Sequence, residues 1–406
     1  MAARLRHFGW EPVVVTVHPK HYEEVLDPAS LTLLPNDLVV EHAEAWPSRI
    51  CRPLGFGDVS LRGQWRLREK IAQLVRRYDV KVIFATVLPG YTSLVGAWAK
   101  RKLRLPFVLD YQDPWVGGSS ASAPTWSKAR IAHRLACYLE PKVVPLADGL
   151  TAVSDETLDT LRERKLIGIR TQIEIIPIGA DEGDHEHARL KGKSAIQKQS
   201  GLVHVAYVGT ITHRMLPALR AFLLAAREVL AGGLPLRVHL IGTSAQPDGD
   251  DRLGVGRVVA EAGATAFVRL EPERIPYLDA LRSMQQSDVL LLIGSMDSHY
   301  TASKIFPCWL ARVPILALFH SRSTVNQLAA ELGGVAVINY DETSGPETRV
   351  ADVALALRRV IAHRGDAVPP RDEQAFALYS ASGVGQRYAA LFDRVCGIQR
   401  TSTDLV

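Results

Sequence analysis

The sequence predicts an α/β protein made of two doubly wound parallel sheets in tandem. Three observations carry this. Short β-branched runs recur along most of the chain. Amphipathic stretches of helical period lie between them. The alternation then restarts after a polar, charged break near position 180. Strand–helix–strand repetition makes parallel sheets with right-handed crossovers. Such strands are covered on both faces, so they read as continuous apolar runs.

In chain order, strands are expected at 12–17, 80–86, 106–110, 149–153 and 173–177, then at 203–209, 236–242, 266–270, 288–293, 314–318 and 335–339. Amphipathic helices are expected at 216–230 and 351–363. Residues 1–178 form the first unit, 179–200 a linker, 201–370 the second unit, and 371–398 a helical segment crossing back onto the first. The linker assignment rests on its polar, Gly-containing composition. The two units are expected to face each other across a cleft. The first element is a short helix at 1–7 that runs straight into a strand. A doubly wound unit ordinarily opens with a strand and a Gly-rich turn, so an N-terminally truncated chain is expected.

The 406 residues carry a net charge of +5, with a pI near 9.0 and 47% hydrophobic residues. The first ten residues lack the apolar segment of a secretory leader, and no apolar run reaches membrane-spanning length. Cys51, Cys137, Cys308 and Cys396 are scattered without metal-ligand spacing, as in a reducing compartment. Basic residues cluster at Arg66, Arg68, Lys70, Arg76 and Arg77, and at Lys100, Arg101, Lys102 and Arg104. Solvated helix faces are the plainer reading. Peripheral contact with the anionic inner face of the plasma membrane is the sharper one. No nucleic-acid-binding pattern accompanies the charge.

In doubly wound sheets ligands bind beyond the carboxyl ends of the strands. Several residues at such ends are candidates. Asp113 follows the run 106–110 and is placed to contact sugar or acceptor hydroxyls; an Asx turn with Trp115 packed on it is the alternative. Pro89 and Tyr91 lie in a turn of small residues after 80–86 and, with Trp115, are candidates for acceptor binding. In the second unit Gly209 and Thr210 end a strand, and Arg214 follows. Gly209 permits close backbone approach, and the amides after it can meet a phosphate. Ser303 and Lys304 open a short helix before the strand 314–318, which suits a diphosphate. A capped helix with a surface lysine is the plainer reading. Asp184, His185 and His187 invite a metal, but they lie in the polar linker, and no Asp-x-Asp pair follows a strand. No metal and no cofactor are therefore expected.

These stretches resemble glycosyltransferase family 4, retaining enzymes of the GT-B fold, in a bacterial surface-polysaccharide-type branch. The matching segments are 79–115, 152–154, 175–181 (IIPIGAD), 207–210 and 303–316, in that order, with 6–17 similar to the end of the family's first helix and its second strand. The resemblance implies a nucleoside diphosphate sugar held by the second unit and an acceptor held by the first. It implies that Asp113 lies near the anomeric carbon, that Lys304 contacts the donor phosphates, and that the leaving diphosphate helps deprotonate the acceptor. It assigns no protein nucleophile. His299 and Pro307 stand where many members carry two glutamates eight apart, and Thr210 stands where an arginine is common. His299 is kept with Gly209, Thr210, Arg214, Ser303 and Lys304 as donor-binding.

The expected activity is a metal-independent hexosyltransferase acting in the cytoplasm. It moves a sugar to a carbohydrate or lipid-linked acceptor with retention, in surface polysaccharide or glycolipid synthesis. The alternatives are a non-catalytic GT-B protein that binds nucleotide or sugar, and a nucleotide-sugar epimerase.

Overall fold

The computed structural model describes residues 2–23, 26–53, 57–87, 91–116, 127–244, 249–251, 254–297, 303–363 and 368–399. It divides into two compact units. One comprises Met1–Leu26, Leu34–Ile178 and Ser382–Val406; the other comprises Asp27–Leu33 and Gly179–Ala381.

In the first unit, β1 (Val13–Val17) pairs in parallel with β2 (Val39–Ala43). A separate parallel sheet has the order β3 (Ile83–Thr86), β4 (Phe107–Tyr111), β5 (Gly149–Ala152), β6 (Gln172–Ile175). The strand β2 was not expected, because Glu41 and His42 interrupt its apolar run. All of β4 is buried, with Phe107, Val108 and Leu109 fully covered, which accounts for its mostly apolar sequence, Asp110 apart. The helix Ser93–Leu103 lies so close to β4 that a Cβ on Gly96 would stand 2.0 Å from the Phe107 ring. The helix Ala381–Cys396 belongs mostly to this unit. Its Val384, Tyr388, Leu391 and Phe392 recur at helical spacing and pack with Leu5, Val108 and Ile176. Trp10 Nε1 donates to Asp393 at 3.0 Å, and Arg387 and Arg394 both pair with Glu174.

The second unit is one six-stranded parallel sheet in the order β12-β11-β10-β7-β8-β9. Its strands are β7 (Val203–Val208), β8 (Leu236–Ile241), β9 (Val268–Glu271), β10 (Val289–Ile293), β11 (Ile315–His320) and β12 (Val335–Tyr340). The chain starts in the middle at β7, winds outward to β9, then returns to β10 and winds the other way. Each face carries its own core. One is built on the helix Leu216–Ala231, the other on Trp309, Phe306 and the helix Tyr277–Gln286.

The stretch expected as a linker contains the helix Glu182–Lys191. Asp181 caps it by accepting from Gly183 N at 2.8 Å, and His185 and Ala188 bury its inner face. A polar composition concealed it, because only those two positions turn inward.

Candidate functional site

The strand order places a switch point between β7 and β10, which pair directly (Val289↔Val205) while their crossovers run in opposite directions. Crevices beyond the carboxyl ends at such a point are where doubly wound sheets take ligands. Gly209 directly follows β7, Gly242 directly follows β8, and Ser295–Asp297 follow β10.

Gly209 has φ +127° and Gly242 φ +67°, backbone conformations that side chains disfavour. A Cβ on Gly209 would meet Lys304 Nζ at 2.3 Å and Cε at 2.5 Å. The glycine is thus required twice, by its own backbone and by the lysine that lies across it. Gly242 backs onto it: a Cβ there would stand 4.0 Å from the Gly209 Cα.

Lys304 is the centre of the arrangement. Its Nζ donates to Tyr207 Oη at 3.0 Å and to the Thr210 carbonyl at 3.3 Å, and it lies 4.8 Å from the Tyr207 ring centroid. Tyr207 Oη in turn donates to the same carbonyl at 2.8 Å. No carboxylate pairs with Lys304 among the described residues. Burial without a counter-charge brings its pKa down to about 8. A half-buried cation faced by neutral dipoles has unused capacity for an anion.

Arg214, one strand-end turn away, pairs with Asp297 at 2.6 Å. Both are about half exposed, so this pair is weak and readily exchanged for another partner. Ser303 is exposed at the start of the helix Ile305–Leu310. His299 lies outside the described residues. Tyr207, Gly242 and Asp297 are the site residues that sequence reasoning missed. The strand-end position of Tyr207-Val208-Gly209 was the available signal for the first.

In the first unit, Asp113 is exposed on the bend after β4, and desolvation by its surroundings raises its carboxyl pKa. The buried acid is Asp110, which accepts from Thr151 Oγ1 at 2.6 Å, Tyr388 Oη at 3.0 Å and Gln112 Nε2 at 3.1 Å. Tyr91 is buried, and its ring packs edge-on against Trp115 at 6.3 Å. Trp115 also packs against the buried cluster that contains Leu109 and Tyr111. Pro89 lies outside the described residues. Asp184 accepts from Tyr277 Oη at 3.1 Å, His187 Nδ1 lies 2.9 Å from the Gly183 carbonyl, and His185 is buried. Among the described residues no cluster of three or more potential ligands could hold a metal. No helix among them is long and apolar enough to cross a membrane. Part of the basic clusters is already engaged, Lys100 by Asp148 and Lys70 by Glu41.

Residues 1–179 match the glycosyl transferase 4-like domain. No curated protein sequence matches the chain. Among solved structures, sucrose-phosphate synthase from Thermosynechococcus elongatus is 12% identical with a TM-score of 0.54, over 100% of this chain and 88% of that one. Anabaena HepE in complex with UDP is 16% identical with a TM-score of 0.56, over 90% and 89%. The UDP-forming α,α-trehalose-phosphate synthase from Burkholderia vietnamiensis is 14% identical with a TM-score of 0.56, over 82% and 75%. At such identities the likeness establishes the fold, which is GT-B with two Rossmann-like units.

Proposed function

We propose that this chain is a glycosyltransferase whose second unit binds the diphosphate of a nucleoside diphosphate sugar. The observation that carries the reading is Lys304, a half-buried cation without a carboxylate partner among the described residues, lying across Gly209 at the switch point of the sheet. Phosphate oxygens beside it would supply the missing counter-charge. Arg214 would add a second contact by leaving Asp297. UDP is the nucleotide of choice, since HepE is seen with UDP and with UDP-glucose and the Burkholderia enzyme is UDP-forming.

In this reading the bond between the anomeric carbon and the phosphate oxygen breaks, and the electron pair leaves with the diphosphate. The acceptor hydroxyl attacks the same face, and its proton passes to the departing phosphate oxygen. Asp113 steadies positive charge on the sugar or orients the acceptor, and Tyr91 and Trp115 support the bend that presents it. Lys304 and Arg214 supply the positive charge, so no metal is called for. The acceptor is a carbohydrate or lipid-linked sugar, and the exposed cations of the first unit meet an anionic membrane surface.

A thermal-shift screen against UDP-, GDP-, ADP- and dTDP-sugars tests the donor assignment. Stabilisation by UDP-sugars above the others is expected, and no shift with any of them overturns the reading. Asp113→Asn then separates transfer from binding. It is expected to cut turnover by about 10²-fold or more while leaving UDP affinity within about twofold. Unchanged turnover reduces Asp113 to a turn residue, and UDP binding without transfer by the parent chain selects the non-catalytic alternative.

A further inference from the structure

The first unit carries an apolar patch that its core does not use. Trp46, Ile50 and Trp65 are 63%, 53% and 73% exposed. Large aromatic side chains are ordinarily well covered, and contiguous exposed ones mark interaction sites. Trp46 follows β2, Ile50 stands on the short helix Ser48–Cys51, and Trp65 stands on the helix Val59–Arg77. Trp46 N donates to the Arg62 carbonyl at 3.2 Å, and Arg62 Nη1 donates back to the Trp46 carbonyl at 2.7 Å. Residues three apart are neighbours on a helix surface, so Trp65 stands one turn from that attachment. The short helix lies against the long one.

The packing of the long helix does not call for Trp65. Its inward stripe is Leu67, Ile71 and Leu74. Trp65 shares the exposed face with Arg66, Glu69, Gln73 and Arg76. Charge is concentrated in the same place. Residues 44–77 hold eight Lys or Arg against three Asp or Glu, a net +5 that equals the net charge of the whole chain. Arg49 precedes Ile50 and Arg66 follows Trp65, both exposed. Arg66 pairs with Glu69 and Arg52 with Glu23, and such exposed pairs are readily exchanged for another anion.

We propose that this face seats the protein on an anionic lipid surface, with Trp46, Ile50 and Trp65 entering the headgroup layer and Arg49 and Arg66 meeting lipid phosphates. This names the face for, and rests on, the contact of the first unit's cations with an anionic membrane. Tryptophan suits that depth, since its ring is apolar and its N–H is polar. A guanidinium matches phosphate bidentately. Two other occupants fit less well. A second copy would bring this positive face against itself in an isologous contact. A sugar is taken beyond the strand ends in doubly wound sheets. Trp65 instead stands about 9 Å along its helix from Val59, and Ile50 offers no ring for a sugar to stack on.

Sedimentation of the full chain with lipid vesicles tests it, using phosphatidylcholine alone and phosphatidylcholine mixed with phosphatidylglycerol. Binding to the anionic vesicles only is expected. Trp46→Ser with Trp65→Ser should lower the partition coefficient about 10-fold or more. Arg49→Gln with Arg66→Gln should lower it about fivefold per charge. Unchanged urea midpoints would show that both variants fold. Lipids with brominated acyl chains should quench the fluorescence of the parent chain, and should quench that of Trp46→Phe with Trp65→Phe far less. This conservative pair provides a second measurement should the serine variant fold poorly. Vesicle binding and quenching that survive the tryptophan substitutions overturn the proposal and leave the membrane contact to another face. No binding to any vesicle overturns both, while UDP binding tests the donor site separately. Self-association, or a fluorescence response to a soluble oligosaccharide, that the parent shows and the tryptophan variants lose would assign the patch to a second copy or to a sugar and overturn the proposal.

Discussion

Lys304→Met removes the charge at the centre of the donor site while keeping most of the side-chain volume. Burial lowers the Lys304 pKa from 10.5 to about 8. A shift of that size corresponds to roughly 3 kcal/mol of destabilisation by the charged form, at about 1.4 kcal/mol per unit. The sign follows from linkage. Between pH 8 and 10.5 the unfolded chain binds more protons than the folded one, so stability rises with pH there, and the full penalty stands at pH 7. Methionine lifts that penalty but forfeits the bonds to Tyr207 and Thr210, at about 1 kcal/mol each. The unliganded variant should therefore be more stable by roughly 1 kcal/mol in urea titration at pH 7. In calorimetry the same variant should bind UDP roughly 10- to 150-fold more weakly, which is the loss of one charge-assisted contact of about 1.5–3 kcal/mol. A variant that is less stable and binds UDP normally would refute the reasoning, because Lys304 would then be a structural tether.

Three further outcomes are expected. Gly209→Ala should destabilise the second unit by about 1–3 kcal/mol and weaken UDP binding together, since the methyl group is strained at φ +127° and displaces Lys304; urea titration and calorimetry on one sample report both effects. His185 and His239 are buried, and desolvation holds each near pKa 4. The unfolded chain then binds more protons between about pH 6.5 and 4, so stability should fall on acidification through that window, by up to about 1.4 kcal/mol per pH unit for each. His239→Leu should flatten the slope in urea titrations at pH 7, 5.5 and 4.5. Tyr388→Phe removes one of three donors to the buried Asp110 and should cost about 1–3 kcal/mol. Faster limited proteolysis of the helix Ala381–Cys396 would report it, and unchanged cleavage would argue against that anchor.

Eleven of the twelve described strands were legible as local patterns because a strand covered on both faces is mostly apolar, as β4 is apart from Asp110 and β11 apart from His320. The strand β2 was not, since its exposed edge tolerates Glu41 and His42. The helix Glu182–Lys191 escaped for the same reason. Gly209 and Lys304 were legible as candidates from strand-end chemistry alone. Their relation was not: 97 positions separate Lys304 from Tyr207, and only the pairing of β7 with β10 brings the lysine across the glycine. Likewise two aspartates follow one another near the end of β4, yet only the returning helix with Tyr388 makes Asp110 the buried one and leaves Asp113 exposed. The sequence by itself determined periodicity, the element order and the residue types at strand ends, because these depend on near neighbours. Tertiary structure alone decided which charge lost its water, which acid was anchored and which strand edges stayed open, because burial depends on what the distant chain lays against each side chain.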